Sequence, residues 1–193
     1  MIKEISEKIT QKAVEDGNIK SEQYEEYLYG INMILNIFIT DITMIIIGII
    51  MRMLWECIAF WFFYKILRKY CGGYHFSTSL KCYLSSCVMC PVIFAAVKYI
   101  PFNMFIWAVI TFIGCIILFI LSPVEAVNKP LDEKEISVFG RIARFLVVII
   151  LIIFIIAVLL KWIIISKIIS VCIISVAVFS IAGKIAVKKA RMK

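Results

Sequence analysis

The sequence predicts an all-α, polytopic integral membrane protein with about six transmembrane helices and an N-terminal amphipathic interfacial helix. Three observations lead there. Hydrophobic residues make up 63% of the 193-residue chain and mean hydropathy is +1.01, well above the roughly 45–50% apolar share of soluble domains. Apolar runs recur at Phe102–Leu121, Phe145–Leu160 and Trp162–Ala182, each near the ~20 residues with which a helix crosses a bilayer. The basic residues cluster in alternate connections, as the positive-inside pattern requires.

The first thirty residues are the polar part of the chain and do not read as a cleaved signal peptide. Ile2, Ile5, Ile9 and Ala13 recur at helical spacing opposite Lys3, Lys8 and Lys12, which suits a helix lying on a membrane surface. Glu15–Asn18 (EDGN) is a turn. Ser21, followed by Glu22, Glu25 and Glu26, opens a second helix, with Tyr24, Tyr27 and Tyr29 at the interface.

Six spans follow, at about 31–51, 53–69, 80–98, 102–121, 144–160 and 162–182. The stretch Phe145–Ala182 has the propensity of one helix. At 1.5 Å per residue it would reach about 57 Å, nearly twice the hydrocarbon core, so it must break, and Lys161–Trp162 is the expected turn. The domain reading is therefore a cytoplasmic, interfacial region over 1–30 and a transmembrane domain over 31–182. That domain carries a cytoplasmic loop at 68–82 and a basic loop at 122–144, and a basic tail follows at 183–193.

With both termini cytoplasmic, all of the 21 basic residues except Arg52, Lys98, Lys161 and Lys167 fall in cytoplasmic segments. The net charge of +8 is then mostly topology, with attraction for anionic lipid and for acidic peptides, and it calls for no nucleic-acid partner. Of the charges inside spans, Arg52 is spaced to pair with Glu56 as an i,i+4 couple. Asp41 has no partner evident in the sequence. Seven cysteines, odd in number and mostly within apolar segments, do not form a disulfide framework; Cys57, Cys115 and Cys172 read as packing residues.

The chemistry concentrates in GGYHFSTSLKC (Gly72–Cys82), which holds the chain's one histidine. Paired glycines break the helix that Lys69 ends. Ser77, Thr78 and Ser79 are three possible caps for the next helix, and Cys82 then falls in or near its first turn. The positive end of that helix and Lys81 favour an anion there. Residues seven apart on one helix lie about 10.5 Å apart along its axis, so His75 must precede the cap and fold back to act as base for Cys82. Arg68, Lys81 and the free N–H groups of the helix start are candidates to hold an oxyanion.

Other readings remain open at this point. Cys71, His75, Cys82, Cys87 and Cys90 have the chemistry of a soft-metal site. Cys87–Cys90 (CVMC) has the spacing of a redox pair, and a membrane thiol oxidoreductase would use it. A transporter of peptide or ion would use Asp41 along its path.

The chain resembles the accessory gene regulator protein B family, the AgrB-like membrane peptidases of Gram-positive quorum sensing. The resemblance rests on Arg68, Gly73, His75 and Cys82 at the family's spacing in LRKYCGGYHFSTSLKC, with Leu121–Leu131 (LSPVEAVNKPL) similar to the family's proline- and lysine-containing loop. It departs at Phe76, where relatives often carry alanine. The resemblance implies a cysteine endopeptidase that cleaves the C-terminal part of a short AgrD-like precursor and leaves a macrocyclic signal peptide. Cys82 would be the nucleophile and His75 its base, Arg68 and Gly73 would occupy further required positions, and no metal or other cofactor would be needed. It also implies a bacterial plasma-membrane location and a homodimer. Lys129, Arg141 and Arg144 are the residues expected to bind an acidic precursor tail.

Overall fold

The computed structural model describes residues 2–74, 76, 78–101, 103–126 and 131–192. Among them there are seven α-helices and no sheet: α1 (Ile2–Glu15), α2 (Tyr24–Ile50), α3 (Leu54–Cys71), α4 (Ser79–Tyr99), α5 (Met104–Leu121), α6 (Glu133–Leu159) and α7 (Ile163–Arg191). A short 3-10 turn, Ser21–Gln23, leads into α2.

Each of the six expected spans becomes a helix. Five of them, all but α3, are long and apolar enough to cross a membrane. In α3, Glu56, Lys65, Arg68 and Lys69 dilute an otherwise aromatic helix. The exterior is apolar all round: Ile34, Phe38, Trp55, Val88, Phe105, Ile120 and Leu159 are among the exposed large side chains. No aqueous surface tolerates such a coat, whereas acyl chains do.

Successive helices run up and down. The turn at Met51–Met53 reverses α2 into α3, with Arg52 at φ 56. That break takes Arg52 out of helical register with Glu56, so the i,i+4 pair does not form. Lys161, at φ 57, breaks the chain between α6 and α7 where the length argument required it. Two boundaries differ from expectation. α6 starts at Glu133 rather than near 144, and α7 continues past 182 to Arg191. Both extensions are polar, so apolar runs underestimate these helices. The start of α6 is fixed by a capping box, with the Asp132 carboxylate accepting from the Glu135 N–H and Glu135 reaching back to the Asp132 N–H.

α7 is the central helix. It packs on α3, α4, α5 and α6, and 56% of its apolar window is buried, against 11% for the peripheral α2. Its buried face carries Ser166, Ser170, Ala177, Ser180 and Gly183, small residues that let helices approach closely in lipid. Thr111 of α5 donates to Ser170 at 2.7 Å across that contact. α1 packs on α2 through Ser6 and Thr10, which are fully buried, while Ile5 and Ile9 of its apolar stripe stay exposed.

This topology gathers the α3–α4 connection, the α5–α6 connection and the C-terminal turns of α7 at one end of the bundle. Three of the basic segments expected on one side, those with Lys69 and Lys81, with Lys134 and Arg141, and with Lys184 to Arg191, therefore share that end.

Candidate active site at the α3–α4 connection

Thr78 caps α4: its hydroxyl accepts from the Lys81 N–H at 3.3 Å. The Cys82 N–H makes the first helical bond, 3.2 Å to the Thr78 carbonyl. Cys82 thus sits in the opening turn of α4, as the sequence predicted, and it is the one exposed cysteine of seven. Lys81 beside it is also exposed. Ser86, one turn on, donates to the Cys82 carbonyl at 3.1 Å. Arg68 and Tyr64, one turn apart on α3, both lie within electrostatic reach of the Cys82 sulfur.

The chain between α3 and α4 is held from three directions. Gly72 pairs with Val124 in a parallel bridge. The Gly73 N–H donates to the Val124 carbonyl at 3.2 Å, and the Val124 N–H donates to the Cys71 carbonyl at 2.9 Å. On the other side the Tyr74 N–H donates to the Phe179 carbonyl of α7 at 2.8 Å. The third hold is Arg68, whose guanidinium donates to the carbonyls of both Gly72 and Tyr74 and rests 5.1 Å from the centre of the Phe179 ring.

Only glycine fits this fixation. Gly73 has φ +124, and a β-carbon there would overlap Arg68 Nη1 and lie 2.8 Å from the Phe179 carbonyl oxygen. Facing it, a β-carbon at Gly183 would lie 2.6 Å from the Gly73 carbonyl carbon and the Tyr74 nitrogen. Sequence reasoning missed Gly183, because a lone glycine in an apolar helix signals nothing until a second backbone is seen pressed against it.

Arg68 and Gly73, two of the predicted site residues, therefore fix the segment leading to position 75, and Phe76 packs edge-on against Tyr74 at 5.0 Å. His75, Ser77 and Lys129 lie outside the described residues. Arg141 and Arg144 are exposed on the third and fourth turns of α6, with Arg144 5.9 Å from the Phe119 ring centre.

The other cysteines are disposed differently. Cys71, four positions before His75, is fully buried, as is Cys90. Cys90 faces Cys57 of α3, and Cys57 in turn donates to the Met44 carbonyl at 3.2 Å. The CVMC segment therefore directs its buried thiol toward another helix. Among the described residues no three of His, Cys, Asp and Glu converge as a metal site would require. Asp41 does have a partner, Lys65 of α3 at 2.7 Å, with the ammonium also 3.7 Å from the Trp61 ring centre. That pairing joins α2 to α3 and supplies the partner that the sequence left open.

Fold and site together define an all-α, multi-pass membrane protein that presents one exposed cysteine at a capped helix start. The chain belongs to the accessory gene regulator B family, whose model matches residues 6–182. Among its relatives are a putative AgrB-like protein of Clostridium perfringens strain SM101, 31% identical over 142 residues, and putative AgrB-like protein 2 of strain 13, 30% identical over 142 residues. Each match covers 70% of this chain and 66% of the relative, just under two thirds of its length. No solved structure matches.

Proposed function

We propose that this protein is a membrane cysteine endopeptidase that processes a short AgrD-like autoinducer precursor at the cytoplasmic face of the bacterial plasma membrane. Cys82 is the nucleophile and His75 its general base. The observation that carries the reading is the pairing of an exposed Cys82 on the first turn of α4 with a tightly held segment just ahead of it. Of the two cysteines flanking His75, Cys82 is open to a substrate and Cys71 is enclosed.

In the reaction, the imidazole takes the thiol proton and the sulfur attacks the scissile carbonyl. The tail leaves as a free amine with a proton returned by the imidazole, and a thioester to Cys82 remains. Attack by the precursor's own thiol or hydroxyl on that thioester releases a thiolactone or lactone and restores the Cys82 thiol. Exchange of one thioester for another is nearly neutral in bond energy, so closure depends on holding the attacking group close while water is excluded. Lys81 and the N–H groups of Ser79 and Leu80, at the positive end of α4, hold the oxyanion. Arg68, with two backbone carbonyls on its guanidinium, is a positioning residue.

Co-expression with a precursor peptide tests this. Wild type releases the C-terminal tail, while Cys82→Ala and His75→Ala, inserted to normal levels, release none. Cleavage that persists in either variant refutes the assignment of that residue.

A further inference from the structure

A second feature lies at the same end of the bundle. Val124 and Glu125, Ile136 at the start of α6, and Lys184, Val187, Lys188 and Arg191 on the last turns of α7 line a cleft of about 410 Å³. Ligand pockets run from about 300 to 1,000 Å³, so this one has room for a few side chains and none for a folded partner.

Its charge is one-sided. Lys184 and Lys188 stand one turn apart on the same face, an arrangement whose repulsion a bound anion relieves. Among the described residues the lining holds one carboxylate, Glu125, and Arg191 is already paired with it. The cleft therefore takes a carboxylate from its own chain and keeps two further cations facing the same space.

Depth selects between the anions that would fit. Ile163 to Gly183 is twenty helical rises, about 30 Å, which is the thickness of a hydrocarbon core. Lys184, Lys188 and Arg191 lie beyond it. On α6, Gly140 to Leu159 covers nearly the same distance, which puts Ile136 about 6 Å further out. The apolar walls at Ile136 and Val187 are thus above the acyl-chain region, where lipid tails do not cover them. A peptide carrying both carboxylates and apolar side chains satisfies both kinds of wall.

The cleft also shares a residue with the candidate active site. Val124 lines it, and the same residue's backbone bonds Cys71 and Gly73. We propose that this cleft binds a short acidic, amphipathic peptide segment. The peptide-processing reading adds that the segment belongs to the substrate whose scissile bond meets Cys82.

The test uses the full chain in phosphatidylcholine nanodiscs and a fluorescein-labelled peptide of about ten alternating Glu and Leu residues, with binding followed by anisotropy. The peptide binds wild type and Cys82→Ala equally, and a Lys/Leu peptide of the same length does not bind. Lys184→Glu with Lys188→Glu weakens binding by at least about tenfold, as loss of two charge-assisted contacts requires. Lys189→Glu, exposed but outside the cleft, changes it by less than about twofold.

Equal losses in both charge variants would reduce the effect to overall charge and overturn the site. So would undiminished binding in the double variant. If phosphatidylglycerol displaces the peptide from wild type and Lys184→Glu with Lys188→Glu abolishes retention of that lipid, the cleft is a lipid site and the peptide assignment falls. Binding of the Glu/Leu peptide, together with no Cys82-dependent tail release from a co-expressed precursor, would instead refute the peptidase reading and leave the cleft standing.

Discussion

Replacing Gly73 with alanine adds one carbon at the most constrained point of the α3–α4 connection. At φ +124 an L-residue is strained by about 1–3 kcal/mol. The new carbon would also lie 2.8 Å from the Phe179 carbonyl oxygen, in the backbone of the central helix, and would overlap Arg68 Nη1. Arg68 is the softer neighbour. Moving it gives up charge-assisted bonds to Gly72 and Tyr74, each worth about 1.5–3 kcal/mol. The cheaper response is for residues 73–74 to shift outward and carry position 75 with them. A displacement of about 1 Å at a reacting group costs on the order of 100-fold in rate, so Gly73→Ala should lower precursor processing by about that factor. The assay is mass-spectrometric quantification of the released tail on co-expression, normalised to membrane-inserted protein. Gly30→Ala on α2, where nothing lies within 4 Å of the added carbon, serves as control and should process normally. Processing by Gly73→Ala within about threefold of wild type would show that the fixation of this segment does not matter to the chemistry.

Gly183→Ala should reproduce the Gly73→Ala loss from a different helix, because its β-carbon meets the Gly73–Tyr74 backbone at 2.6 Å; normal processing would contradict the contact. Arg68→Lys should be nearly as defective as Arg68→Ala in tail release, since a single ammonium does not reproduce a planar fork serving two carbonyls; full activity in Arg68→Lys would mean that charge alone is required. A membrane-permeant maleimide should modify Cys82 first and leave Cys71, Cys90 and Cys172, all fully buried, unlabelled until the protein unfolds; peptide mapping checks the order, and early labelling of Cys71 would refute the packing described. Asp41→Ala and Lys65→Ala should couple in a double-mutant cycle of thermal stability by up to about 1 kcal/mol, and strict additivity would dissolve the α2–α3 ion pair.

Much of the fold was legible because bilayer thickness limits helix length. That a break had to fall within Phe145–Ala182 followed from that limit, and the polar run before the next apolar segment narrowed its cap to Ser77, Thr78 or Ser79, of which Thr78 serves. The helix ends at Glu133 and Arg191 were misplaced because apolar runs report only the part of a helix inside the membrane. The Asp132–Glu135 capping box was nevertheless a readable start signal for α6. Cys82 at the head of α4 was legible from local spacing. What holds the preceding segment was not, since Val124, Phe179 and Gly183 come from two other elements distant in sequence. The Asp41–Lys65 pair was hidden for the same reason, its partners lying on different helices. The CVMC spacing was compatible with a local thiol pair or with simple packing, and only the fold shows Cys90 buried against Cys57.

The most direct test of the account is to trap the acyl group on the enzyme. A precursor variant whose own cysteine is replaced by alanine has no internal thiol with which to close the ring. Incubated with it, the wild-type protein should accumulate a hydroxylamine-labile adduct on Cys82 whose added mass is that of the tail-less precursor less one water. Tail release with no adduct on Cys82, or from Cys82→Ala at the wild-type rate, would contradict it.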